Sequence, residues 1–179
     1  YLSVIFYSLI CFILFSPNKN LFTIIQAFTP ISSRTYWFIT NYFFLYIFSP
    51  YINLLLNRLS NDQFRNLLFK LLIIFSIQPL IFFYSDFNSI FGGGTGVLWF
   101  FILYSVGAYI RKYEFDVGIK KIFPIIILNI LLFIFVLILN SNYENNFFKN
   151  CQLYLMNYNS PNIFLCAVSL FIILKKISF

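Results

Sequence analysis

The sequence contains no histidine, and only 9% of its 179 residues are charged. Soluble domains carry about 25% charged residues, so this chain has too few charges to cover a water-facing surface. Lipid can cover it instead, because apolar residues make up 61% of the sequence. The absence of histidine also argues against a zinc or haem site. This composition excludes most soluble functions and indicates an integral membrane protein.

Carboxylates and clustered cysteines are missing from the long apolar runs. None of the five acidic residues lies inside such a run, and buried charges are what usually mark ion pathways in membrane spans. Ion-coupled transport therefore has no candidate carboxylate here. The cysteines, Cys11, Cys151 and Cys166, show no Cys-x-x-Cys spacing. We interpret Cys11 and Cys166 as small apolar residues, and we expect no bound metal and no bound cofactor.

Long stretches of the chain carry no charge at all. They have 23, 24, 22 and 25 residues, at positions 35–57, 87–110, 122–143 and 150–174. A helix needs about 20 apolar residues to cross a hydrocarbon core of ~30 Å, and helices satisfy their own backbone hydrogen bonds in lipid. The predicted fold class is therefore all-α, a polytopic transmembrane helix bundle. We predict six spans, at residues 2–15, 36–56, 67–84, 97–110, 122–139 and 163–174.

Basic residues are distributed unevenly between alternate connections. One side receives nine, namely Arg58, Arg65, Lys70, Arg111, Lys112, Lys120, Lys121, Lys175 and Lys176. The other side receives three, namely Lys19, Arg34 and Lys149. Loops rich in Lys and Arg stay in the cytoplasm, so the loops 57–66 and 111–121 are predicted to be cytoplasmic. A net charge of +7 in a soluble domain would suggest nucleic acid. Here it sits at helix ends, so we expect a lipid bilayer as partner and no nucleic acid.

Glycine and proline mark three positions of interest. The cluster Phe91–Gly96 lacks the Lys-Ser/Thr pair of a phosphate-binding loop, so we interpret it as a turn into the fourth span. Pro50 and Pro79 lie inside predicted spans, where proline removes a backbone donor and kinks the helix. Because Ser49 and Asn53 flank Pro50, either a local polar cavity or a simple packing irregularity is expected there.

Two further sets of residues are candidates for a site. Uncharged polar residues within the spans either line a site or form interhelical hydrogen bonds of about 0.6–2 kcal/mol each. They are Thr40, Asn41, Ser49, Asn53, Ser76, Gln78, Ser105 and Asn129. Arg34 stands beside Tyr36 and Trp37 at the outer end of the second span. Taken alone, this group is typical of an interfacial anchor.

Four stretches, in one order, resemble the acyltransferase 3 family of membrane acyltransferases. In the stretch Arg34–Asn53 the resemblance rests on Tyr36, Trp37, Phe38, Leu45, Tyr46, Pro50 and Asn53. In the stretch Leu98–Tyr113 it rests on Trp99, Tyr104, Gly107 and Arg111. The stretches Leu59–Pro79 and Asn159–Ile177 resemble the family as well. Together they cover most of the chain from Arg34 onward.

The resemblance implies an integral-membrane O-acyltransferase of the bacterial cytoplasmic (inner) membrane. Such enzymes move an acyl group, most often acetyl, from cytoplasmic acyl-CoA to a hydroxyl of a cell-surface glycan or lipid-linked sugar. Arg34, Tyr36 and Trp37 are then substrate-binding candidates, since a cationic Arg34 can stabilise an oxyanion or bind a phosphate. The family's candidate base is a histidine in its first span. This sequence has no histidine, so no catalytic residue is assigned.

The chain starts at Tyr1, inside an apolar run and without a signal peptide's basic region. We therefore expect residues 1–179 to be a partial acyltransferase domain that lacks the N-terminal and final helices and is inactive alone. The alternatives are a glycan flippase or polymerase, or another polytopic transporter, and a non-enzymatic membrane scaffold. A flippase or polymerase is expected to have a long charged outer loop or buried charges.

Overall fold

The computed structural model describes residues 2–15, 20–29, 36–81, 92–113, 118–143 and 146–177. Every regular element within these ranges is helical, and the same ranges contain no β-strand. The predicted all-α fold class is therefore confirmed for this part of the chain.

Long helices are joined by short helices and turns. In chain order they are α1 (Leu2–Phe15), α2 (Leu21–Phe28), α3 (Trp37–Arg58), α4 (Asn61–Leu72), a π-helical turn (Ile73–Ile77), α5 (Gln78–Ile81), a 3₁₀ turn (Gly92–Gly94), α6 (Val97–Lys112), α7 (Ile119–Tyr143), α8 (Asn146–Leu155) and α9 (Pro161–Ile177). The predicted span at 2–15 coincides with α1, and each of the other five overlaps a helix that extends beyond at least one of its ends. The helices α2 and α8 lie in connections for which no helix was predicted.

Two stretches of the described chain are long and apolar enough to cross a membrane. They are Trp37–Arg58 and Lys120–Ser141, with 22 residues each. Only 17% of each stretch is buried, so the rest of the described chain does not cover their apolar side chains. The helices at the other predicted spans are shorter; α6, for example, has 16 residues and α9 has 17. At the third predicted span the helix is also interrupted by the π-helical turn. Those four spans stay predictions.

The helix at the third predicted span begins earlier than that span was predicted to begin. The helix α4 starts at Asn61, so only Leu59 and Ser60 separate it from α3, and most of the predicted loop 57–66 is helical. Ser60 Oγ accepts a hydrogen bond from the Gln63 backbone N–H at 3.3 Å, and the Gln63 side chain accepts one from the Ser60 N–H at 3.1 Å. This reciprocal pair is a capping box, and it fixes where α4 begins.

The chain divides into two compact units, Tyr1–Pro50 and Tyr51–Phe179. In the first unit α1 packs against α2. Ala27 is buried, whereas Leu21, Phe22 and Ile25 on the same short helix are exposed. The helix α2 therefore directs a small residue inward and exposes its large apolar side chains.

In the second unit α6 is the central helix. Three clusters of buried apolar side chains surround it, centred on Phe64, on Trp99 and on Ile122, and Val106 of α6 packs against all three. These clusters join α6 to the end of α3, to α4, to α7 and to α9. Trp99 is only 3% exposed and meets Phe164 edge to face, so it serves the core of this unit.

Pro79 disturbs the helix that runs from α4 into α5. It has no N–H to donate to the Phe75 carbonyl four residues earlier, and a π-helical turn precedes it. Two later side chains satisfy the carbonyls of that turn: Asn159 Nδ2 donates to Phe75 O at 2.8 Å, and the Tyr154 hydroxyl donates to Ser76 O at 2.5 Å. Both side chains are 1% exposed. Neighbouring side chains thus compensate for the backbone donor that Pro79 lacks, and a kink at Pro79 stays a prediction.

The glycine cluster forms a turn into α6, as predicted, and Gly96 is the N-cap of that helix. Gly93 and Gly94 have φ of 56° and 84°, a region that favours glycine. The Tyr158 N–H donates to Gly93 O at 3.1 Å. A Cβ at Gly94 would lie only 2.5 Å from the Asn159 nitrogen. The glycines therefore allow this turn to pack directly on the backbone between α8 and α9.

Candidate functional site

The three substrate-binding candidates from the sequence have different positions. Arg34 lies outside the described residues. Tyr36 lines a cavity of about 210 Å³ in the first unit, together with Ser8, Cys11, Phe12, Thr23, Gln26 and Ala27. Trp37 does not line that cavity and instead meets Phe38 edge to face, with ring centroids 5.9 Å apart. Tyr36 is thus brought beside hydroxyl and thiol side chains that were not predicted as site residues.

A larger cavity, of about 670 Å³, lies in the second unit. The end of α3, the second half of α6 and one residue of α9 form its walls, which are Asn53, Asn57, Tyr104, Gly107, Ala108, Arg111, Lys112 and Phe171. We call it the polar pocket. Tyr104, Gly107 and Arg111 are three and four residues apart, so they share one face of α6.

A hydrogen bond fixes one wall of the polar pocket. The Tyr104 hydroxyl donates to Asn53 Oδ1 at 2.8 Å, which joins α6 to α3. Because that oxygen is engaged, the Asn53 amide nitrogen is the group left to donate to a bound molecule. Asn53 lines the polar pocket whereas Ser49 and Pro50 do not, so both alternatives at Pro50 stay predictions.

Lys112 has a structural role at the edge of the polar pocket. Its ammonium donates to the carbonyl oxygens of Leu56, Asn57 and Leu59, each at 3.2 Å. These are carbonyls at the C-terminal end of α3, which have no partner within the helix and carry partial negative charge. The charge of Lys112 is therefore engaged by the fold itself.

Arg111 is the cation of the polar pocket that the fold leaves available. Its side chain is exposed, and an ion pair of 3.2 Å is formed by two other residues, Arg65 and Asp62. No carboxylate in the described ranges pairs with Arg111. Guanidinium groups bind phosphates and carboxylates through two parallel hydrogen bonds, so the pocket is suited to an anionic group.

An apolar cavity adjoins the polar pocket. It has a volume of about 180 Å³ and lies between α6 and α9, lined by Leu103, Val106, Gly107, Ile110, Ala167, Val168 and Phe171. Gly107 and Phe171 line both cavities. We call this second cavity the apolar slot. Together the two cavities form a polar region suited to an anion and an adjoining apolar region.

No protein-family model, curated protein or solved structure matches this chain.

The polar pocket lacks the groups that would make it a metal centre. Among the described residues, no group of three or more His, Cys, Asp or Glu side chains is arranged to hold a metal ion. Its polar side chains are two amides, a phenol, a guanidinium and an ammonium. Such a set can bind and orient an anionic ligand, and it includes no carboxylate or imidazole to act as a general base near neutral pH.

The polar pocket was not predicted as a site, although its residues were noted for other reasons. Asn53 was recognised as a polar residue within a span, and Tyr104, Gly107 and Arg111 were recognised within the stretch Leu98–Tyr113. The spacing of Tyr104, Gly107 and Arg111 could have indicated the pocket, because it puts these three residues on one face of α6. That this face meets Asn53 depends on helix packing.

Proposed function

We propose that this chain is part of an integral-membrane acyltransferase that moves an acyl group from acyl-CoA to a hydroxyl of a cell-surface glycan. One observation carries the proposal: two of the stretches that resemble this family meet at the polar pocket. Asn53 ends the first stretch and Tyr104 lies in the second, and their side chains are hydrogen-bonded at 2.8 Å. Residues scattered along a sequence that converge on one cavity are typical of a binding site.

The polar pocket suits the phosphate-bearing head of an acyl-CoA. Arg111 supplies a cation without a carboxylate partner in the described ranges, and Asn53 and Asn57 supply amide donors beside it. Charge-assisted hydrogen bonds from a guanidinium to phosphate are roughly twice as strong as neutral ones. The volume of about 670 Å³ lies within the usual range for small-molecule sites, about 300–1,000 Å³. The pocket holds part of the donor, since a whole coenzyme A is longer.

The sidedness of charge supports the same assignment. The ends of α3 and α6 that form the polar pocket carry Arg58, Arg111 and Lys112, on the side that receives nine basic residues. Acyl-CoA is a cytoplasmic metabolite, so its binding site must face that compartment. We propose that the six predicted spans cross the bacterial cytoplasmic membrane in this orientation, with the polar pocket open to the cytoplasm.

The acceptor belongs on the other side of the membrane in this proposal. The family resemblance makes Arg34, Tyr36 and Trp37 candidates for contact with the glycan or lipid-linked sugar. Tyr36 lines a cavity with Ser8 and Thr23, and these hydroxyl groups can exchange hydrogen bonds with sugar hydroxyls.

The chemistry defines what these residues contribute. An acceptor hydroxyl attacks the thioester carbonyl, an ester C–O bond forms, the C–S bond breaks, and a base takes the hydroxyl proton that ends on the departing thiol. This chain has no histidine to act as that base. Its proposed role is to bind the donor through Arg111 and the acceptor through the residues around Tyr36.

The test uses the complete protein that contains this chain, expressed in a host with an unmodified surface glycan. O-acyl groups on the glycan are measured by mass spectrometry. We expect them to appear with the wild-type gene and to fall at least tenfold with Arg111→Ala. Arg65→Ala is the matched control, because Arg65 is exposed and lies outside the pocket.

Two results would contradict the proposal. One is glycan acylation that is the same with and without the gene. The other is new surface glycan without any acyl group, which would favour the flippase or polymerase alternative.

A further inference from the structure

The short helix α2 exposes only apolar side chains. It has eight residues and no charge. Its exposed residues are Leu21, Phe22, Ile25 and Phe28, with exposed fractions of 76%, 69%, 52% and 53%. Their spacing places all four on one side of the helix, whereas a surface helix in water carries polar residues on its outer side. The exposed side of α2 is therefore suited to an apolar medium.

The opposite side of α2 forms a wall of the cavity that Tyr36 lines, which we call the Tyr36 cavity. The polar residues of α2 are Thr23 and Gln26, and both are half-buried and line this cavity with Tyr36. The helix thus stands between the polar groups of the cavity and the medium that covers its apolar side.

The helix α2 is too short to cross a bilayer. Eight residues rise about 12 Å, whereas the hydrocarbon core is ~30 Å thick. The helix ends where the Thr29 backbone N–H and hydroxyl both donate to Ile25 O, at 2.9 Å and 2.7 Å. A short helix with one apolar side lies along the surface of a membrane, with that side in the lipid.

Tyr36 relates α2 to the boundary of the bilayer. It directly precedes the stretch Trp37–Arg58, which is long and apolar enough to cross a membrane. A helix of that length measures about 33 Å, close to the ~30 Å of the hydrocarbon core, so Trp37 lies near one lipid boundary when the stretch crosses. Because Thr23 and Gln26 share a cavity with Tyr36, α2 lies at the same level. A bilayer around α3 therefore reaches α2 as well.

We propose that α2 lies in the lipid at the non-cytoplasmic surface of the membrane, and that the acceptor sugar enters the Tyr36 cavity while it is attached to a membrane lipid. A cavity at headgroup depth meets sugars held close to the bilayer, and its hydroxyl groups can exchange hydrogen bonds with them. This inference rests on the proposed function and its orientation of the spans. It deepens that function by naming a lipid-linked sugar, and not a glycan released from its lipid, as the acceptor.

Photochemical crosslinking tests the position of α2. In the complete protein in its membrane, Phe22 is replaced by p-benzoylphenylalanine, and adducts are identified by mass spectrometry. Phe135 is the matched position, because it is also an exposed phenylalanine, at 60%, and lies in the apolar stretch Lys120–Ser141. We expect phospholipid adducts at both positions. An adduct at position 22 with another protein or a second copy of the chain, or no adduct there while position 135 gives one, would overturn the proposal.

The acceptor is tested in two hosts that express the complete protein, of which one cannot transfer the glycan from its carrier lipid. O-acyl groups on the extracted lipid-linked sugar are measured by mass spectrometry. We expect them in the transfer-deficient host. Their absence there, together with acyl groups on the finished glycan of the other host, would overturn this inference and leave the proposed function standing. Absence of acyl groups in both hosts would overturn both.

Variants connect α2 to the reaction. Phe22→Gln combined with Ile25→Gln makes the exposed side of α2 polar, and we expect acylation of the lipid-linked sugar to fall at least fivefold while acetyl-CoA affinity stays unchanged. The control combines Phe147→Gln and Leu153→Gln on α8, which are 49% and 55% exposed and should leave acylation unchanged. Equal acylation in the two double variants would contradict the proposal, as would loss of acetyl-CoA binding from the change in α2.

Discussion

The Tyr104 hydroxyl donates a hydrogen bond of 2.8 Å to Asn53 Oδ1, and both side chains line the polar pocket. This contact joins α6 to α3 across 51 positions of sequence. The same helix face carries Arg111, whose guanidinium has no carboxylate partner among the described residues. The contact between α6 and α3 therefore forms one wall of a cavity that is suited to an anion.

The Tyr104–Asn53 bond should matter for binding more than for folding. Tyr104→Phe frees the Asn53 amide to rotate, and we expect acetyl-CoA affinity to fall about fivefold or more. Stability should fall by about 0.5–1.5 kcal/mol, the usual effect of one hydrogen bond. The matched control is Tyr109→Phe, which breaks the similar 3.0 Å bond from Tyr109 to Asn61 outside the pocket. Equal losses of affinity in the two variants would contradict a specific role for Tyr104.

Adjacent cations in α6 should respond in opposite ways to neutralisation. Lys112→Met removes three hydrogen bonds to the end of α3, and we expect a loss of about 1–2 kcal/mol in unfolding free energy. Arg111→Met should leave stability within about 0.5 kcal/mol and abolish anion binding. Thermal unfolding and ligand titration on both variants check this. A larger loss of stability from Arg111→Met than from Lys112→Met would show that the roles are reversed.

The Tyr154 hydroxyl should stabilise the π-helical turn before Pro79. Tyr154→Phe leaves the buried Ser76 carbonyl without its 2.5 Å partner, so we expect a loss of about 1–3 kcal/mol. Burial also raises the pKa of the Tyr154 phenol. Above a pH of about 10, the usual tyrosine pKa, the unfolded chain therefore releases this proton while the folded protein retains it.

Because the folded protein binds this proton more tightly than the unfolded chain, its stability should fall as the pH rises above about 10. The stability of the Tyr154→Phe variant should fall less steeply, because the variant lacks this phenol. Unfolding midpoints of both proteins between pH 8 and pH 11 measure the difference. Parallel curves would contradict the buried, protonated state of Tyr154.

The glycine turn before α6 should tolerate no side chain at Gly94. Its φ is 84°, and a Cβ would lie 2.5 Å from the Asn159 nitrogen and 2.8 Å from the Tyr158 Cβ. Gly94→Ala should therefore cost at least about 2 kcal/mol, seen as a lower unfolding midpoint. Gly107→Ala, which meets open space, should raise the midpoint or leave it unchanged. A neutral Gly94→Ala would contradict the close packing of this turn.

Charge-free runs predicted helices unevenly, since the run 150–174 is divided between α8 and α9. The charge-free run 122–143 lies in α7, because an apolar run of that length has few other ways to satisfy its backbone. The start of α4 was missed although Ser60 and Gln63 carry a capping signal. The helix α8 was missed because its ten residues mix Asn, Lys and Gln with apolar side chains.

The polar pocket could be predicted only in part. The residues of α6 could be assigned to one face from their spacing, but the partner of Tyr104 could not. Whether Asn53 or another polar residue meets this face depends on how α3 and α6 pack, and that is decided by clusters such as the one around Phe64. Likewise, the sequence shows Arg111 and Lys112 only as two adjacent cations. The position of the end of α3 decides that Lys112 binds its carbonyls whereas Arg111 does not.

The most direct test of the account measures binding of radiolabelled acetyl-CoA to sealed membrane vesicles that contain the protein. We predict saturable binding to inside-out vesicles, none to right-side-out vesicles, loss of binding with Arg111→Ala and retention with Arg65→Ala. Binding to right-side-out vesicles alone, or binding that Arg111→Ala leaves unchanged, would contradict a cytoplasmic acyl-donor site at the polar pocket.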